Sequence, residues 1–311
     1  MANLILLVLC FAIGAGARRW GNLPPDSHRA LNLWVVYVSL PALVLRSLRF
    51  ASFRPALLLG AVALWIVFLL AVVASLAARK GGLLTPREAG GMALATGLGN
   101  TAFVGLPLLE ALGGSEAVAV GAVIDQFGSF VAFSFLAVPF AASQSGEKLS
   151  TKTYLGRLVR FPPMMALGAA LLLRGVTLPS AVEGAIGRLA DMLSPLALAS
   201  VGWLWNPRAL QGRSGQVAVG LLGRLLVAPA VVLMLLWLIR GEVGLVERVT
   251  VVQAAMGPMV TAVVMAAERD LEPGLGAAML ALGVPLSLVT APLWWFALGP
   301  CGIPLLNGGS P

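Results

Sequence analysis

Two charged side chains lie deep inside long apolar stretches of this sequence. Asp125 follows a run of small apolar residues, and Arg224 interrupts another such run. Either charge would cost about 2.5 to 3.5 kcal/mol if it faced lipid at mid-depth, so each must pair or face a wet cavity. We expect Asp125 to be a proton-coupling carboxylate, and Arg224 to be its partner or a direct ligand of a negatively charged substrate. The alternative is a structural ion pair that fixes helix packing.

A second set of residues has the chemistry of an anion site. The sequence Gly-Leu-Gly-Asn-Thr-Ala-Phe-Val-Gly-Leu-Pro occupies residues 97–107 and places helix breakers in the middle of an apolar segment. If the helix breaks near Gly99, Asn100 and Thr101 become the cap of its second half. The first N–H groups of that half then point into the break and favour a negatively charged ligand.

A later apolar segment carries a matching interruption. Gly257 precedes Pro258, which suits the first helical turn after a break because its missing N–H would be unpaired there anyway. Thr261 would add a hydroxyl group one turn further on. The two interruptions together predict a carboxylate site. The alternative is that the glycines only let membrane helices pack closely.

Three polar residues flank these positions and could complete a sodium or substrate site: Gln126, Ser129 and Gln253. Such side chains are more often hydrogen bonders between membrane helices, each worth about 0.6 kcal/mol. The segment 249–267 contains no acidic residue to balance a cation, which weakens the sodium hypothesis. The solitary His28 lies outside every apolar segment, and no Gly-x-Gly-Asp motif surrounds Asp125. We therefore expect no metal site, no cofactor and no enzyme activity.

The composition shows which elements must position these residues. Hydrophobic residues make up 59% and charged residues 11% of the 311, a balance typical of an integral membrane protein. Four segments without charge, 55–78, 89–109, 126–146 and 273–311, can each cross ~30 Å of hydrocarbon as a helix. The net charge of +8 comes from Lys and Arg at the ends of apolar segments, so we expect a topology signal and no nucleic-acid partner.

Hydropathy predicts an all-α membrane protein with ten transmembrane spans, near residues 3–17, 31–48, 56–78, 89–112, 117–142, 156–174, 184–206, 215–239, 249–267 and 273–298. The interruption at Gly99 falls in span four and that at Gly257 in span nine. With the N-terminus outside, thirteen Lys and Arg residues lie in cytoplasmic connections and seven in external ones. This bias predicts external termini in a bacterial-type plasma membrane.

The ten spans divide into two halves. The longest polar connection, 143–154, separates a first repeat of residues 1–142 from a second repeat of residues 155–311. Five spans per half is an odd number, so the halves must be inverted relative to each other. Broken helices at matching positions of two inverted halves are the best sequence indication of a transporter site.

The motif at residues 99–107 is similar to the fourth-helix motif of the auxin efflux carrier family, in the form that occurs in its bacterial members. Residues 32–45, 194–202 and 254–267 resemble the second, seventh and ninth helices of that family, so the resemblance covers essentially the whole chain. The family resembles bile acid sodium symporters in fold. This resemblance implies two inverted repeats, with helices four and nine unwound where they cross.

The resemblance also implies two moving parts. Residues 1–54 and 155–210 would form a scaffold, and residues 55–142 and 211–300 a transport domain that moves as a rigid body. Bacterial relatives are associated with malate or malonate-type carboxylates and plant relatives with auxin. This chain lacks the long hydrophilic central loop of the long plant carriers, and Gly99 stands where plant carriers have proline. We therefore do not predict auxin as the substrate of this chain.

The sequence thus predicts a secondary active transporter of small organic anions, which works by elevator-like alternating access and is linked to protons. One alternative is a sodium-coupled symporter of bile-acid-like or other amphipathic anions. An alternative of another class is a passive anion channel. The expected partners are the substrate, the coupling ion and the lipid bilayer, and a homodimer is a possible assembly.

Overall fold

The computed structural model describes residues 2–21, 24, 26–50, 55–147, 150, 154–156, 159–205 and 213–299. Within these residues the backbone is helical apart from turns and connections, and its one extended pairing is a bridge between Gly99 and Pro258. Both ends of the chain and part of the predicted connection 143–154 lie outside the described residues.

Twelve helices of nine residues or more follow one another along the described part of the chain: α1 Ala2–Trp20, α2 Ser27–Leu48, α3 Pro55–Lys80, α4 Pro86–Gly97, α5 Thr101–Ser145, α6 Pro162–Leu172, α7 Ser180–Asp191, α8 Leu193–Leu204, α9 Ser214–Arg240, α10 Leu245–Ala254, α11 Val260–Glu268 and α12 Pro273–Ala297. Five of them are long and apolar enough to cross a membrane: α2, α3, α5, α9 and α12. The prediction of an all-helical membrane protein is therefore confirmed.

The division into helices differs from the ten predicted spans because several of those segments are broken. Span four consists of α4 and the start of α5, span seven of α7 and α8, and span nine of α10 and α11. Helix α5 bends sharply at Gly114, whose φ of 64° and ψ of −159° are not helical. Its 45 residues therefore form two arms. The arrangement as ten spans in two inverted repeats stays a prediction.

The first halves of both interrupted helices start in the same way. Ahead of α4, the Glu88 carboxylate accepts the Thr85 N–H at 2.8 Å. Ahead of α10, the Glu247 carboxylate accepts the Gly244 N–H at 2.9 Å. A glutamate at the third helical position satisfies a donor that the helix leaves free and fixes where the helix begins. Both first halves are thus anchored at their outer ends.

Helix α1 packs closely along α8. A Cβ atom on Gly14 would lie 2.0 Å from the Ala199 carbonyl oxygen, and one on Gly202 would lie 2.1 Å from the Phe11 carbonyl oxygen. Small residues at such contacts let membrane helices approach until their backbones touch. Helix α2 packs on α6, α7 and α8, whereas α10 packs on α3, α5, α9 and α12.

Candidate functional site

Two short extended segments, 98–100 and 257–259, cross between the broken helices, and together we call them the crossover. Each connects two half-helices, α4 to α5 and α10 to α11. Two backbone hydrogen bonds join the segments, from Asn100 N–H to the Gly257 oxygen at 2.8 Å and from Met259 N–H to the Leu98 oxygen at 2.9 Å. Backbone groups that the breaks free from helical bonding thus satisfy one another, as the interior of a membrane requires.

Asn100 caps the second half-helix of the first pair. Its side-chain oxygen accepts the Phe103 N–H at 3.2 Å at the start of α5. The structure differs from the prediction that Pro258 lies in the first turn of the second half-helix. Helix α11 begins at Val260, and Met259 is its N-cap. Pro258 therefore lies in the crossover and not in the first helical turn, and the sequence-based placement is wrong by two residues. The extended pairing with Gly99 delays the start of the helix.

A cavity of about 90 Å³ adjoins the crossover. Its described lining comprises Val36, Leu40, Asn100, Thr101, Ala102, Phe103, Asp125, Gln126, Phe130, Phe133, Phe161, Met259, Val260 and Thr261. The set includes the N-terminal residues of both second half-helices, α5 and α11. The first N–H groups of a helix have no partner inside the helix and carry its positive dipole end. Two such ends at one cavity form an environment for a negatively charged ligand.

Asp125 lies in the wall of this cavity and is buried. One carboxylate oxygen accepts the Thr101 hydroxyl at 2.6 Å, and the other accepts the Gln126 amide at 2.9 Å. The side chain is thus tied both to the cap region of α5 and to its own neighbour. No ion pair joins Asp125 to Arg224 among the described residues. The pairing that the sequence allowed is absent there.

Arg224 takes a role that the sequence analysis did not consider. Its buried guanidinium donates to four backbone carbonyl oxygens, those of Met256 at 2.7 Å, Gly97 at 3.2 Å, and Thr96 and Gln253 at 3.3 Å. These carbonyls lie at the ends of α4 and α10, where helix dipoles leave negative partial charge. Arg224 therefore neutralises the ends of both first half-helices, and it is not among the described residues that line the cavity.

The crossover glycines are explained by close approach. A Cβ atom on Gly99 would lie 1.9 Å from Nη2 of Arg224. A Cβ atom on Gly257 would lie 2.6 Å from the Gly283 carbonyl oxygen on α12. Neither glycine has positive φ, so space and not backbone freedom requires these residues. Their contribution to the site is to admit the guanidinium and the neighbouring helix.

Of the remaining predicted site residues, the structure places one at the cavity and two elsewhere. Thr261 lines the cavity. Gln253 donates to the Gly121 carbonyl oxygen at 2.9 Å, which makes it a link between α10 and α5. Ser129 is buried but is not among the described lining residues. Only Thr261 of these three therefore joins Asn100, Thr101, Asp125 and Gln126 at the cavity.

Sequence reasoning missed the apolar walls of the cavity, which include Phe103, Phe130, Phe133 and Phe161. An aromatic residue in an apolar segment carries no signal that distinguishes a cavity wall from a lipid-facing position. A subtler feature is also invisible in the sequence: the wall of the cavity is built largely from π-helical turns, at Val35–Ser39, Thr101–Gly105, Asp125–Phe130 and Ala132–Ala137. Such turns are rare and occur often at functional sites.

Trp65 supports the π-helical turn that carries Asp125. Its indole N–H donates to the carbonyl oxygens of Phe127 and Gly128, each at 3.0 Å. A π-helical turn displaces carbonyl groups from their usual partners, so an outside donor is needed. Helix α3 thereby holds the turn in the geometry that directs Asp125 into the site.

Comparison with known proteins gives a consistent result. The family model described as membrane transport protein matches residues 1–295. An uncharacterized transporter of Methanothermobacter thermautotrophicus is 28% identical over 296 residues, covering 94% of this chain and 95% of its own. An uncharacterized transporter of Methanocaldococcus jannaschii is 24% identical over 307 residues, covering 95% of this chain and 97% of its own.

Proposed function

This chain belongs to the membrane transport protein family, the auxin efflux carrier family of the sequence resemblance, and from that premise we propose that it is a secondary active transporter of small organic anions. Its family and its relatives indicate a multi-pass membrane transporter and not an enzyme. The proposed substrates are carboxylates, and the proposed mechanism is elevator-like alternating access.

One observation carries the choice of an anion. The N-terminal ends of α5 and α11 meet at one cavity, and Asn100, the N-cap of α5, is among its lining residues. Each helix end contributes about half a positive charge, so the pair matches one carboxylate. The opposite, negative helix ends are already neutralised by Arg224. This polarity favours an anion over a cation as the transported species.

The proposed coupling ion is the proton, carried by Asp125. This carboxyl group is 3% exposed and borders the proposed substrate site, and its hydrogen-bond partners among the described residues, Thr101 and Gln126, are neutral. A carboxylate without a cationic partner in such a place favours proton binding during part of the cycle. The sodium-coupled alternative differs in one measurable respect, since flux would then require a sodium gradient.

The proposed moving parts are a scaffold of residues 1–54 and 155–210 and a transport domain of residues 55–142 and 211–300. The contacts support this division, because α1 packs along α8 and α2 packs on α6 and α7. The cavity lies between the two sets: Val36, Leu40 and Phe161 come from the scaffold, and the other described lining residues from the transport domain. Sliding of one set past the other would expose the site alternately to the two sides.

The proposed setting is a bacterial-type plasma membrane with both termini outside. This orientation rests on the excess of Lys and Arg in the predicted cytoplasmic connections. A homodimer is a compatible assembly.

The test is uptake into proteoliposomes of a panel of mono- and dicarboxylates under imposed proton or sodium gradients. We expect saturable uptake with counterflow, driven by protons, and a loss of at least about tenfold in kcat/KM for Asn100→Ala. Asn32→Ala is the matched control, because Asn32 accepts a hydrogen bond from Ser200 on α8 and is not among the described residues that line the cavity. Normal transport of every panel member by Asn100→Ala would refute the crossover site, and unsaturable flux without counterflow would indicate a channel.

A further inference from the structure

Asn100 and Gln126 line the cavity, and each has one buried side-chain atom, Nδ2 and Oε1 respectively, without a hydrogen-bond partner among the described residues. The residues are 4% and 1% exposed. An unsatisfied buried polar group costs about 1 to 3 kcal/mol, so a ligand that supplies the missing partner is favoured. We propose, on the basis of the transport function above, that these atoms select a small monocarboxylate that also bears a hydrogen-bond donor, such as a hydroxyl group beside the carboxylate.

The orientation of each amide is fixed by its other hydrogen bond. Asn100 accepts the Phe103 N–H through Oδ1, so its free atom is the donor Nδ2. Gln126 donates through Nε2 to the Asp125 carboxylate, so its free atom is the acceptor Oε1. Flipping either amide would place two donors or two acceptors face to face. The two amides therefore offer one free donor and one free acceptor, and a ligand that satisfies both needs an oxygen acceptor and an N–H or O–H donor.

The size and charge of the cavity further restrict the chemical class of the proposed ligand. Its volume of about 90 Å³ is far below the roughly 300 to 1,000 Å³ of sites for drug-sized ligands, which favours an acid of a few carbon atoms. Asp125 is the one titratable side chain among the described lining residues. Two helix ends supply about one positive charge in all, enough for a single carboxylate. A second carboxylate group on the ligand would meet Asp125 without compensation.

Gln126 would select the ligand because its buried oxygen costs free energy when the bound ligand leaves it without a hydrogen bond. A site built to bond a substrate hydroxyl strongly rejects an analogue that lacks the hydroxyl group. This discrimination is far greater than the discrimination against an analogue that lacks one methylene group. The Gln126 oxygen has no hydrogen-bond partner among the described residues, so a ligand hydroxyl group would supply one. We expect a discrimination of at least about tenfold between otherwise matched acids.

The experiment compares lactate with propionate, which differ by one hydroxyl group, in proteoliposomes that contain the full chain. We expect wild type to favour lactate in kcat/KM by about tenfold or more. Gln126→Met keeps the volume but removes the acceptor, together with the donor to Asp125, and it should bring the ratio close to one by losing lactate transport. Gln126→Asn moves the oxygen back by the length of one methylene group and should also lower the ratio. This second variant keeps the test valid if Gln126→Met cannot be reconstituted.

Ser129→Ala is the matched control. It removes a buried hydroxyl group from the π-helical turn that carries Gln126, but Ser129 is not among the described lining residues, so the lactate preference should persist. This comparison separates ligand recognition by Gln126 from a general effect of altering the turn.

Three results would overturn the inference: equal transport of the two acids by wild type, an unchanged ratio in both Gln126 variants, or a sodium requirement that disappears in Gln126→Met. In the last case the free oxygen binds a cation. If dicarboxylates are transported in an Asn100-dependent manner but neither lactate nor propionate is, the inference fails and the proposed function survives. If no carboxylate is transported, both fail.

Discussion

Arg224 donates from Nε to the Met256 carbonyl oxygen at 2.7 Å, and through this bond a side chain on α9 closes the end of a broken helix 32 residues further along the chain. The same guanidinium closes the end of α4 on the other side of the crossover. The crossover is therefore polarised: its negative helix ends are neutralised by Arg224, and its positive ends border the cavity.

Replacement of Arg224 should destabilise the crossover. Arg224→Met removes the side-chain donor of four backbone carbonyl groups, and each charge-assisted bond is worth about 1.5 to 3 kcal/mol. We expect a marked fall in Tm in detergent and loss of uptake, with Arg224→Lys intermediate because an ammonium group has three donors and no planar fork. Arg29→Met, at an exposed ion pair with Asp26, is the control. A Tm of Arg224→Met equal to that of the control would contradict this assignment.

Gly99→Ala tests the space that the guanidinium needs. The new methyl group would lie 1.9 Å from Nη2 of Arg224, so either the guanidinium or the crossover must move. Overpacking of this kind destabilises by about 1 to 3 kcal/mol. We expect a lower Tm and reduced uptake. Gly184→Ala, where a Cβ atom meets nothing within 4 Å, should be tolerated. Wild-type behaviour of Gly99→Ala would show that the contact with Arg224 is not needed.

Asp125→Asn tests the proton link. The amide keeps the size of the side chain but cannot gain or lose a proton, so uptake should no longer respond to an imposed pH gradient, while counterflow of substrate should continue. The measurement is initial uptake against pH for both proteins. Asp191→Asn is the control, because Asp191 is exposed and pairs with Arg46 away from the cavity. An unchanged pH profile in Asp125→Asn removes this residue from the coupling role.

A cross-link between the proposed moving parts should stop transport. Ser194 on α8 donates to Glu110 on α5 at 3.0 Å, across the boundary between the proposed scaffold and transport domain. With cysteines at both positions, in a background without native cysteines, a short thiol-reactive linker should abolish uptake, and reduction of a cleavable linker should restore it. The control pair is Arg46 and Asp191, which contact each other within the proposed scaffold. Full uptake after complete cross-linking of positions 110 and 194 would rule out sliding at this boundary.

The sequence alone determined the features that depend on local backbone chemistry. Long apolar segments predict membrane helices, and the breakers at Gly99 and Pro258 predict where two of them end. Asn100 is recognisable as a cap because its side chain bonds a backbone group three residues away. Asp125 is recognisable as a site residue because a lone charge in an apolar segment needs a polar environment.

Only the tertiary structure decided the partners of these residues. Arg224 binds backbone carbonyls on two helices that are separated from it by 29 to 128 positions in the chain, and carbonyl groups occur at every residue. The aromatic walls and the convergence of Asn100 with Gln126 likewise depend on how distant helices pack. Local propensity identifies where a helix breaks, but long-range packing determines which groups meet at the break, and so which ligand the break can hold.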